Sequence, residues 1–175
     1  MWKDILKALE RIALSDKDKI KIEKVPQEVS FKPNGLWYSF SLGSGWMRGN
    51  MLDYGWLESY QYMLYLDTSE LNILQIKNLE DANAFYSRWN RGKRRNQWDS
   101  VAFYYDGVEL LNYNNWVEKY GSDNPVMEEF GGWDMDSGCI WNTQNLKVKK
   151  VKPIEERHYK RQHKEQLSLY DDIEE

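Results

Sequence analysis

The segment Trp133 to Val151, WDMDSGCIWNTQNLKVKKV, sets the tightest limits on how this chain can fold. It joins two carboxylates, a Ser-Gly turn, a short apolar strand over Cys139 to Trp141, a polar break, and an alternating strand over Leu146 to Val151. Side chains on a strand alternate between faces, so Asp134 and Asp136 share one face if their segment is extended. The pattern predicts an acidic site held against a sheet edge. Pro153 ends the sheet, because proline cannot donate to the ladder.

Two other stretches serve this one. In FKPNGLWYSF, Phe31 to Phe40, Pro33-Asn34-Gly35 is a turn signal, since proline presets one torsion and glycine accepts positive φ. The strand after it places Trp37 and Ser39 on one face, and Leu36, Tyr38 and Phe40 on the other. In WDSVAFYYDGVEL, strands over Val101 to Tyr105 and Val108 to Leu111 flank Asp106-Gly107, a strong hairpin or sharp-turn signal.

The remaining elements follow from periodicity. Trp2, Ile5, Leu6, Leu9, Ile12 and Ala13 recur at helical spacing, with Lys3, Asp4, Lys7, Glu10 and Arg11 between them, which predicts an amphipathic helix over residues 2–14. Lys19 to Val25 alternates as a short strand that Pro26 stops. Residues 42–55 are Gly-rich and predict a loop. Strands follow within 56–67 and 71–76, then a helix opens at Asn78 with acids in its first turn and runs to about Trp89. Residues 121–132 predict another loop. Together these elements give one α+β domain over residues 1–153, with a mixed or antiparallel sheet core and an N-terminal amphipathic helix. Residues 154–175 are expected to form a charged peripheral helix or flexible tail.

At 175 residues the chain suits a single domain. Its net charge of −4 argues against a general nucleic-acid coat. Arg88, Arg91, Lys93, Arg94 and Arg95 crowd one helix end, either as a solvated terminus or as a phosphate contact. One cysteine, Cys139, excludes an internal disulfide and a Cys-rich zinc site, and fits a reducing cytoplasm. The N-terminus lacks the long uncharged run of a signal or membrane span. Aromatic residues reach 15%, enough for either a heavy core or an aromatic cleft.

Most catalytic constellations are missing. His158 and His163 lie in the charged tail, away from any nucleophile and outside the spacing of a helical metal pair, so no metal site is expected. Neither a Walker loop nor a dinucleotide glycine fingerprint is present. What remains is acid, hydroxyl and aromatic: Asp134, Asp136, Asp106 and Glu109, near Ser39 and several Trp and Tyr residues. Carboxylates at a strand end can stabilise a developing cation, while Asp106 and Asp136 also suit plain turn roles.

The order of a GLWYS strand, an aromatic Gly-rich loop, a Tyr-rich strand, a strand plus helix, a YDGV turn, and DSGCIWN followed by LKV resembles the mono-ADP-ribosyltransferase superfamily. CIWNTQNLKVKKV is similar to that superfamily's closing strand, and GLWYSF to its nucleotide-facing strand. The chain also resembles a group of viral and bacterial proteins that carry KPxGLWYS and WDxxSGCIWN motifs. The likeness spans about residues 20–151.

The resemblance implies NAD as substrate, lying across a split sheet, and transfer of ADP-ribose to a macromolecular acceptor, protein or nucleic acid, by a phage, toxin or defence effector. It implies a carboxylate on the nicotinamide ribose hydroxyl during an oxocarbenium-like step. Asp136 or Asp134 would take that role, with Glu109 as a third candidate. Ser39 would match the middle-strand hydroxyl, Trp37, Tyr54 and Tyr60 would stack on nicotinamide, and Lys32 would meet a phosphate. The chain departs from the superfamily in two places. The expected first strand, Ile20 to Val25, offers Lys21 and Lys24 where members place Arg or His, and Asp-x-Asp replaces the usual Glu-x-Glu or Gln-x-Glu. A non-enzymatic module that binds through an aromatic cleft is the alternative, as is an inhibitor-type protein that acts through residues 2–13 and the tail.

Overall fold

The computed structural model describes residues 10–40, 60–90, 95–120, 130, 132–133 and 135–154. Its centre is a seven-stranded mixed sheet in an α+β domain. The strands are β1 (Arg11–Ser15), β3 (Leu36–Phe40), β4 (Tyr62–Asp67), β5 (Ile73–Ile76), β7 (Gly107–Leu110), β8 (Ser137–Ile140) and β9 (Lys147–Pro153), with β2 (Val29–Ser30) and β6 (Asn96–Gln97) forming a separate pair. The order across the large sheet is β5-β7-β8-β3-β1-β4-β9, and only β5 and β7 run parallel. Among the described residues, no helix is long and apolar enough to cross a membrane.

The first strand is a correction to the helix expected over residues 2–14; residues 1–9 lie outside the described part. Arg11–Ser15 is extended and sits between β3 and β4. A central strand buries both faces, so the run Ile12-Ala13-Leu14 satisfies sheet pairing as readily as a helical stripe. Tertiary pairing decides the outcome. Residues 20–25 make no strand of the sheet. An isolated bridge joins Lys24 to Asn142, and the Thr143 hydroxyl accepts from Glu23 N at 2.8 Å.

The Asp-Gly hairpin is also corrected. Trp98–Val101 is a short helix, α2, and Asp106-Gly107 leads from it into β7. Asp106 is a clamp: its carboxylate accepts from Asn72 N at 2.9 Å and Asn142 Nδ2 at 2.6 Å, tying the starts of β5 and β7 to the end of β8. Helix α1 (Leu79–Phe85) begins as expected at Asn78, whose side chain accepts from Asp81 N at 2.9 Å. It continues as a π-helical turn, Tyr86–Asn90. Helix α3 (Tyr113–Tyr120) had no counterpart in the sequence pattern.

Alternation gives the sheet two apolar faces. One packs Trp98, Trp133, Trp141, Phe85, Phe130, Val108 and Cys139 under the helices. Ring centroids of Trp98 lie 6.4 Å from Trp133 and 6.3 Å from Trp141, so much of the aromatic surplus is core. The other face gathers Ala13, Tyr38, Phe40, Leu64, Leu66 and Ile140. The edge strand β9 carries Lys147, Lys149, Lys150 and Lys152, charges that discourage further strands from adding.

The middle strand β3 changes partner along its length. Leu36, Trp37 and Tyr38 pair with β8, whereas Ser39 and Phe40 pair with β1. Among the described residues, the sheet therefore consists of two wings that meet on β3. Its entry is fixed by Gly35, at φ 153, where any Cβ would run into the Ile140 carbonyl.

Candidate functional site

One row of the register crosses four strands: Gln75 on β5, Glu109 on β7, Gly138 on β8 and Tyr38 on β3. All face the same side of the sheet, because each pair is directly opposed. Gly138 is the key to the row. A Cβ there would lie 2.7 Å from Tyr38 Cε1 and closer still to Cζ and the hydroxyl. Without it, the Tyr38 ring lies flat across β8 and its hydroxyl donates to Glu109 Oε1 at 2.8 Å, one strand beyond its neighbour.

Glu109 is fully buried, and four donors meet its carboxylate. Besides Tyr38, Gln75 Nε2 donates to Oε2 at 2.9 Å, Arg11 Nε to Oε1 at 2.5 Å and Arg11 Nη2 to Oε2 at 3.2 Å. The two Arg11 bonds form a bidentate fork, the geometry in which guanidinium holds a carboxylate best. Arg11 comes from β1, in the wing beyond β3, and its guanidinium carbon stands 5.9 Å from the Phe40 ring centroid. The ion pair therefore bridges the split.

The electrostatics agree with this geometry. Burial opposes the Arg11 charge, but the hydrogen bonds and attraction of Glu109 outweigh it and hold the guanidinium above its ordinary value. Burial raises Tyr38 well above its ordinary value, and the Glu109 charge pushes the same way, so its phenol stays protonated and donates. The arrangement is a preorganised carboxylate with a cation and a neutral donor fixed beside it.

The other expected site residues are dispersed. Asp136 is buried at the start of β8 and serves α3: Oδ2 accepts from Asn112 N at 2.9 Å and Oδ1 from Tyr113 N at 2.8 Å. Those amides open a helix and have no partner within it, so Asp136 caps and neutralises its positive end. Asn112 takes the left-handed conformation there, φ 59, which asparagine tolerates. Trp37 and Ser39 face the opposite side of the sheet from Glu109. Trp37 meets Trp133 edge-on at 5.0 Å, and Lys32 Nζ lies 5.5 Å from the Trp37 ring. Ser39 is buried, and its hydroxyl has no hydrogen-bond partner among the described residues. Tyr60 is exposed just before β4. Asp134 and Tyr54 lie outside the described residues.

Sequence reasoning placed Glu109 third and missed Arg11, Tyr38 and Gln75. Arg11 was hidden by the helical pattern of its flanks. Tyr38 shares GLWYSF with Ser39 and is the hydroxyl of that strand that shares a face with Glu109. The signal for it was Gly138, a glycine inside an apolar strand, which marks close approach by something else. Cys139 is buried among apolar groups, which raises its thiol and leaves it inert. Among the described residues, no three His, Cys, Asp or Glu side chains converge as a metal-holding set. No family model, curated protein or solved structure matches this chain.

Proposed function

We propose that this chain is an NAD-dependent ADP-ribosyltransferase of the cytoplasm that modifies a macromolecular acceptor, with Glu109 as the acid and Arg11 and Tyr38 as its positioning partners. The observation that carries the reading is Arg11: the first strand of the sheet holds an arginine, beside the middle strand and at the split, and it meets a carboxylate there. This supplies the feature whose absence from residues 20–25 set the sequence apart from the superfamily it resembles.

The chemistry asks little else of the protein. As the bond between nicotinamide and ribose lengthens, positive charge develops on the sugar, and a fixed carboxylate stabilises it in a water-poor site. The acceptor's nucleophile takes the anomeric carbon, nicotinamide leaves, and the acceptor gives up its proton. Glu109 is enclosed, so a ribose hydroxyl gains it by replacing a present donor. Gln75, neutral and on the edge strand, is the donor that yields at least cost, since parting the Arg11 pair would strand a buried charge.

The saturation of Glu109 favours the second reading, a non-enzymatic binding module in which the same cluster only fixes the sheet. Labelled-NAD transfer in the presence of cell lysate separates the two. Wild type and Asp136→Asn are expected to transfer label, and Glu109→Gln to lose it while still binding NAD. The transferase reading fails if wild type neither binds nor consumes NAD, or if Glu109→Gln transfers label as wild type does.

A further inference from the structure

We propose that the π-helical turn after α1 and the strands beside it form a binding surface for single-stranded nucleic acid. Arg88 and Arg95 meet the phosphates, and Trp89, Tyr104 and Phe31 stack on the bases. The proposal is independent of the NAD chemistry and lies on different elements.

The surface is built of arginines laid on aromatic rings. Arg88 stands 4.5 Å from the Trp89 ring centroid and 5.4 Å from that of Tyr104, and those two rings are 5.5 Å apart. Arg95 stands 4.2 Å from the Phe31 ring. The two groups are joined from below. Asn90, which follows Trp89, donates to Asn96, which follows Arg95; both are fully buried, and Asn96 Nδ2 also donates to the Phe31 carbonyl at 3.1 Å.

Tyr104 and Phe31 face solvent, while Trp89 is half-buried against the core. Tyr104 is 57% exposed and Phe31 46%, and Phe103, next to Tyr104 in the chain, is 86% exposed. Exposed aromatics adjoining one another, as Phe103 and Tyr104 do, mark an interaction site. Among the described residues, neither Arg88 nor Arg95 forms an ion pair, and the π turn carries no acid in its first turn. The cations are thus available to an anion rather than spent on the protein. π-helical turns often occur at functional sites, and this one sets Arg88 and Trp89 side by side.

Charge complementarity chooses the partner. Against a net charge of −4, which opposes a general nucleic-acid coat, arginines laid over rings and outside any ion pair among the described residues give a local surface that favours a ligand both polyanionic and planar. A duplex hides its base faces, so rings can stack on a single strand but not on intact double helix. Nothing in the surface distinguishes ribose from deoxyribose, since stacking and phosphate pairing are indifferent to the sugar.

The test is fluorescence anisotropy of the full chain with labelled oligo-dT, oligo-U and a duplex of equal length at several salt concentrations. Both single strands are expected to bind within a few-fold of each other and more tightly than duplex. Two phosphate contacts predict a log-log salt slope near −1.4, at about −0.7 per contact on a single strand. Tyr104→Ala, at an exposed position, is expected to weaken binding by about tenfold, the lower part of the range for one base stack. Arg88→Gln with Arg95→Gln should flatten the salt slope. Far-UV circular dichroism and the denaturation midpoint verify that each variant is folded. The proposal is overturned if wild type binds no single strand at low salt, if duplex binds equally well, or if the folded Tyr104 and double-arginine variants bind like wild type.

Discussion

Replacing Gly138 with alanine tests the Tyr38–Glu109 row directly. The added methyl carbon would stand 2.7 Å from Tyr38 Cε1, inside ordinary carbon–carbon contact of roughly 3.5 to 4 Å, so the ring must move by about an ångström. The phenol is rigid and cannot bend around the methyl. Displacing it breaks the 2.8 Å bond to Glu109. Overpacking costs about 1 to 3 kcal/mol and loss of a hydrogen bond to a charged group about 1.5 to 3, so Gly138→Ala should destabilise by about 2.5 to 6 kcal/mol. For a domain of this size that is a fall in Tm of about 5 to 24 °C. Urea denaturation at neutral pH reads the loss, provided the transition slope is unchanged between variants. The decisive step is a double-mutant cycle with Tyr38→Leu. Leucine cannot reach across β8, so in that background Gly138→Ala should cost less than about 1 kcal/mol, giving a large coupling between two residues on neighbouring strands. An equal cost in both backgrounds would refute the account, since the methyl would then be meeting something other than the ring.

Three further outcomes follow from the same geometry. Tyr38 is raised in the folded state above its ordinary value of 10.0, so the native protein holds that proton after the unfolded chain has lost it. Stability from this residue is present below about pH 10 and should fall above it by about 1.4 kcal/mol per pH unit until the folded value is reached. Urea midpoints followed upward from about pH 9 should decline more steeply in wild type than in Tyr38→Phe, and parallel declines would contradict the assignment. Asp136→Ala removes the cap of α3 and should cost about 0.5 to 2 kcal/mol in equilibrium unfolding, with any loss of NAD turnover no larger than the loss of folded protein. A cost near zero would show that the α3 amides do not depend on it. Cys139 should resist alkylation in native buffer and react once urea unfolds the chain, as mass spectrometry would show; rapid labelling of the native protein would place the thiol at the surface.

The sequence was legible where the signal is local. The alternation in Leu36–Phe40, the Asn78 cap, and the strands on either side of the Asn142 break all appear in the structure, because each depends on residues within a few positions of one another. It was misleading where one pattern serves two structures. Ile12-Ala13-Leu14 reads equally as part of a helical stripe or as a strand buried on both faces, and only pairing with β3 and β4 decides. Asp106-Gly107 has hairpin chemistry, yet its carboxylate is drawn to Asn72 and Asn142 on other strands. The Arg11–Glu109 contact was beyond reach: the two residues are 98 positions apart, and no local rule couples them. Asp136 drew attention as an acid in a conspicuous motif, while its partners are helix amides that the sequence pattern did not predict.

The shared strand β3 acts as a lap joint between two plates. Each wing holds its own length of that strand, so neither can slide along the strand axis without breaking backbone bonds to it. Among the described residues, the lap onto β1 is the pairs Arg11–Phe40 and Ile12–Ser39. Arg11 and Glu109 sit on opposite plates, so their ion pair is a side-chain rivet through the joint.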